Sequence, residues 1–88
     1  MSTAKKAQEK WSGLSIQERT DILFTAANVM AKATTQTIAV MSRDAGKTVA
    51  EADPEVAEAI DFARFYATTA QNFGESTPLG TILVIPPW

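Results

Sequence analysis

The chain has 88 residues, 45 % of them hydrophobic and 20 % charged, with a formal charge of -2 and neither cysteine nor histidine. This is the composition of a folded chain, and the missing residue types exclude thiol and imidazole catalysis, disulfides and the usual zinc ligands. The eight basic residues are spread along the chain and no apolar run approaches the about 20 residues of a membrane span, so neither nucleic acid nor membrane is an expected partner, and one small cytoplasmic domain is expected.

Ala4, Ala7 and Trp11 recur at helical spacing, and Ser12-Gly13 follow as a stop, which predicts a short helix from Thr3 to Trp11 with one aromatic anchor. Ser15-Ile16-Gln17-Glu18 reads as a capping box, the serine hydroxyl accepting from the Glu18 amide and the Glu18 carboxylate from the Ser15 amide. From Ile16 to about Ala33, residues Ile22, Leu23, Ala26, Ala27, Val29, Met30 and Ala33 cover one side of the wheel and predict an amphipathic helix. Arg19 falls inside that apolar face, where either a stem laid on the core or a buried ion pair would account for it.

Thr34-Thr35 interrupt the pattern and are expected to cap a third helix carrying Ile38, Met41 and Ala45, which Gly46 ends in a left-handed conformation. Ala45-Gly46-Lys47-Thr48 resembles the tail of a phosphate-binding loop. The upstream glycine is missing, however, and residues 41–44 read as helix, so a C-cap followed by an N-cap is the better account.

Thr48-Val49-Ala50-Glu51 is a second capping box, expected to open a short turn, after which Asp53-Pro54 restarts the helix with a kink at residues 52–54. The helix from Pro54 to Phe73 is expected to bury Val56, Ala59, Ile60, Ala63, Tyr66, Ala67, Ala70 and Phe73 along an alanine-rich stripe that admits a close neighbour. Glu58 falls on the opposite side with Phe62 and Phe65, and can be read as an ordinary surface carboxylate or as part of a ligand site. Two phenylalanines on a solvated face imply that something covers them. Asp61 and Arg64 read as a solvent-facing pair of little energetic weight.

Gly74 ends this helix, and 75–78 form a minimal loop. Thr81 to Pro86 then run without polar alternation, as in a strand buried on both faces of a parallel sheet. Nothing else in the chain could supply that sheet. The expectation is a mainly α fragment of three to four packed helices and one C-terminal apolar strand at 81–86, cut from a larger protein.

The ordered pieces are Trp11 before Ser15, Glu18 and Arg19, then Asp44-Ala45-Gly46-Lys47, Glu51-Ala52-Asp53-Pro54-Glu55-Val56, Phe65-Tyr66-Ala67 and Pro78-Leu79-Gly80 before a strand ending in Pro-Trp. Together they resemble the N-terminal portion of the NAD(P)-dependent aldehyde dehydrogenase superfamily, over nearly all of the chain. The run 55–62 and the short link from Phe73 to Pro78 are most similar to the L-glutamate γ-semialdehyde (1-pyrroline-5-carboxylate) dehydrogenases, with the bifunctional proline-utilisation proteins as the nearest subtype.

The resemblance implies a parent α/β enzyme with a Rossmann-like domain. In it a thiolate attacks the aldehyde, hydride passes to NAD or NADP, and water releases glutamate. It further implies that Ile85, Pro86, Pro87 and Trp88 lie along the nicotinamide side of the cofactor and that Glu58 stands near the substrate entrance. Pro86 replaces the serine or alanine more usual in the family. The nucleophile, the general base and the asparagine that would follow Trp88 are absent, so the isolated chain is expected to bind no cofactor and to be inactive. Its partners would be the rest of the parent enzyme, or further copies of itself through the last strand and the apolar helix faces. The competing reading is another aldehyde dehydrogenase subtype, or a small helical interaction module.

Overall fold

The computed structural model describes residues 2–74 and 76–87. Among these residues there are four helices, α1 (Ser2–Ser12), α2 (Ile16–Lys32), α3 (Thr34–Ala45) and α4 (Val49–Ala70). The longest, α4, is the centre of the fold, packing along α2 and more briefly along α3. Both capping boxes form. In the first, the Ser15 hydroxyl accepts from the Glu18 amide at 3.1 Å and a Glu18 oxygen accepts from the Ser15 amide at 2.8 Å. In the second, Thr48 and Glu51 repeat the exchange at 3.2 and 3.0 Å. These bonds satisfy donors that the first turn of each helix would otherwise leave open.

The core is small and built around short side chains. Ala27 of α2 meets Val56 and Ile60 of α4, with Met30, Ala31, Ile38, Met41 and Ala63 closing around them. Ala27, Ala52 and Ala67 have no exposed surface at all, and such small residues let helix axes approach closely. The result is far from self-contained. The chain exposes 7030 Å², against about 5000 Å² expected of a compact monomer of this mass. Its radius of gyration is 15.5 Å, against about 12 Å for a compact domain of this length.

Several expectations are corrected. Thr34 does not cap α3, whose N-cap is Ala33 without a side-chain bond; its hydroxyl instead donates back to the Ala31 carbonyl at 2.9 Å, tying off the end of α2. No new helix starts at Asp53-Pro54, because α4 runs unbroken from Val49 through Pro54. The missing proline amide removes one bond, to the Ala50 carbonyl, near the start of the helix, while the Thr48 box and the fully buried Ala52 hold the preceding turn in place. The helix also stops at Ala70, three residues short of Phe73, and the Gln71, Asn72 and Phe73 amides reach back three residues in a tightened last turn.

Two buried faces differ from the wheel. On α2, Ile22 and Val29 are 46 % and 61 % exposed while the polar Thr20 is buried, because the line of contact with α4 passes through Thr20 and Ala27. On α4, Ala59 and Tyr66 are exposed, as is Phe73 beyond its end, and the buried line is Ala52, Val56, Ile60 and Ala67.

The expected strand is the largest departure. Residues 81–87 form no strand among the described residues, and Leu83, Val84 and Ile85 are 67 %, 77 % and 79 % exposed. A β-ladder needs a second strand to exchange hydrogen bonds, and four helices offer none. The segment instead passes beside α1, where Gly80, Thr81 and Ile82 share a groove with Ala4, Ala7 and Trp11.

Candidate functional site

The outward face of α4 carries the one carboxylate that the sequence marks for a ligand. Its helical turns set Glu58, Phe62 and Phe65 along a single shallow groove, rimmed by Pro54, Ala57 and Asp61. Phe62 and Phe65 remain 49 % and 60 % exposed, so the pairing of an acid with two aromatics on an uncovered face is present as expected.

Tyr66 belongs to the same face, although the wheel assigned it to the core. Its ring stacks on Phe62 at 6.0 Å and meets Phe65 edge-on at 5.4 Å, joining the three rings into one ledge. The i, i+4 spacing from Phe62 is the signal that could have found it. The salt bridges among the described residues, Arg43 with Asp44 and Lys47 with Glu55, leave Glu58 free, and Asp61 and Arg64 do not close on each other. The pairing of Lys47 with Glu55 joins the loop after α3 to α4, which gives the lysine of the Gly-Lys-Thr sequence a structural partner.

Ile85, Pro86 and Pro87 are exposed, and Trp88 lies outside the described residues. The Glu58 groove is lined by α4 residues alone, so residues 85–87 are not part of it. Arg19 is half-buried and lies between two neighbouring hollows, one shared with Trp11, Thr20, Leu23 and Phe73, the other with Gly74, Ser76 and Thr77. Among the described residues Arg19 forms no salt bridge.

Among the described residues the chain is a helical layer with an uncovered aromatic ledge and an apolar extension beside it. The chain matches the aldehyde dehydrogenase family over residues 1–88 and belongs to that family. It is 34 % identical to the 1-pyrroline-5-carboxylate dehydrogenase of Bacillus pumilus (strain SAFR-032) over 103 residues, covering all of this chain and 20 % of that protein. A 1-pyrroline-5-carboxylate dehydrogenase 2 from Bacillus subtilis (strain 168) is equally similar over the same span. The bifunctional protein PutA of Rhizobium meliloti is 42 % identical over 74 residues, 83 % of this chain and 6 % of that protein. The chain thus spans about a fifth of the length of the dehydrogenases it matches. No solved structure gives a significant match. Among the described residues no helix is long and apolar enough to cross a membrane.

Proposed function

We propose that this chain is the N-terminal portion of an NAD(P)-dependent aldehyde dehydrogenase that oxidises L-glutamate γ-semialdehyde to glutamate, and that alone it is inactive. The observation that carries this reading is its similarity along its whole length to proteins named 1-pyrroline-5-carboxylate dehydrogenase. The match to the Rhizobium protein is the higher in identity, 42 % over 74 positions and 83 % of this chain, whereas the 103 positions aligned with the Bacillus enzymes exceed the 88 residues present. This supports a bifunctional proline-utilisation protein as the parent.

In this reading Glu58 and the ledge of Phe62 and Phe65 form part of the wall by which substrate enters, and Ile85, Pro86, Pro87 and Trp88 form one wall of the nicotinamide pocket. The chemistry of the last segment fits such a wall. Pro86 and Pro87 carry no amide hydrogen and present apolar rings and carbonyl oxygens, and the described residues 85–87 are exposed. The cofactor, when bound, accepts the hydride of the aldehyde; this chain contributes shape and dryness, and the groups that grip phosphate and attack carbon come from elsewhere in the enzyme.

Two measurements test the proposal. Reading the gene beyond Trp88 is expected to give Asn-Phe-Pro and, later, a cysteine in a glycine-rich context; a stop codon directly after Trp88 would favour a helical interaction module. The purified 88-residue chain, given NAD and the semialdehyde, is expected to form no NADH, and steady NADH formation would refute its assigned inactivity.

A further inference from the structure

We draw no further inference here: the strongest candidate, the exposed aromatic ledge of Phe62, Phe65 and Tyr66 beside Glu58 on the outward face of α4, belongs to the site already described, and nothing in the structure shows what else covers it.

Discussion

The Thr20 hydroxyl of α2 donates to the Ala67 carbonyl oxygen of α4 across 3.4 Å, joining positions 47 residues apart. Thr20 is 1 % exposed and Ala67 fully buried. The amide that would ordinarily reach the Ala67 carbonyl, that of Gln71, bonds to Thr68 instead, so the threonine answers an acceptor that the tightening of the last turn left open. A Thr20→Val variant keeps the volume and removes the donor. At this length the bond is weak, and a loss of about 0.5–1.5 kcal/mol is expected. The thermal midpoint should fall by several degrees, about 4–8 °C per kcal/mol for a domain of this size. A midpoint unchanged by Thr20→Val would mean the bond contributes nothing.

The first capping box gives stability a dependence on acid. The Ser15 amide, and secondarily the Ser15 hydroxyl, hold the Glu18 carboxyl below its ordinary value, and burial does little to oppose them. Because the folded value is the lower one, the contribution is fully present above the ordinary glutamate value and is lost as pH falls through the folded one. Glu18→Gln can still accept from the Ser15 amide but cannot titrate, so the acid-side slope of stability should flatten in that variant. Denaturant titrations of both proteins between neutral pH and pH 3 provide the comparison, and equal slopes would remove Glu18 from the account.

Gly46 ends α3 with φ at 68° while its amide donates to the Ser42 carbonyl at 3.1 Å. Nothing lies within 4 Å of where a Cβ would stand, so a side chain here meets backbone strain alone. Gly46→Ala should therefore cost about 1–2 kcal/mol, and Gly46→Asn less, since asparagine tolerates the left-handed region better. If alanine and asparagine are equally costly by urea unfolding, the strain argument fails.

The local features of this fold were legible because their causes lie within four residues of each other. Both capping boxes and the glycine stop involve only neighbours in sequence, and each is found where its residue types placed it. The faces were less legible, because hydropathy marked Ile22 and Val29 for burial together with Ala27, while the docking line of α4 kept Ala27 and took the polar Thr20 in their place. Pro54 misled for a related reason. Its local preference for the first helical position competed with an upstream cap and a buried alanine, and tertiary packing prevailed. The strand could not form at all, since β-structure depends on a partner that these residues do not contain. In the candidate site, the grouping of Glu58 with Phe62 and Phe65 followed from helical spacing, whereas Tyr66 was lost to a wheel angle near the boundary between the two faces.

The unpaired extension carries its own consequence. Leu83, Val84 and Ile85 present apolar side chains and open backbone groups, and such an edge recruits another strand when one is at hand. For the isolated chain, the strand at hand is a second copy. Elution from a sizing column should shift towards larger species as concentration rises, and Val84→Lys should suppress the shift. Val29→Lys, at a position on α2 that is 61 % exposed, should leave it in place. Equal suppression by both variants would assign association to general surface hydrophobicity.

The Glu58 ledge separates a structural role from a site role by where its substitutions are felt. In the isolated chain Phe65 is 60 % exposed, and Phe65→Ser should alter stability by no more than about 0.5 kcal/mol, as for other surface positions. In the complete enzyme the same face is expected to be covered, so Phe65→Ser should lower its thermal midpoint, whereas Glu58→Gln, nearly equal in size, should leave that midpoint unchanged. In the proposed reading Glu58 stands at the substrate entrance and acts on binding, so Glu58→Gln should raise KM for the semialdehyde several-fold with a smaller change in kcat. In the proposed reading residues 85–88, and not the Glu58 groove, face the nicotinamide, so KM for the cofactor should stay constant. An unchanged KM for the aldehyde would return Glu58 to the plain reading of a surface carboxylate beside partly covered rings.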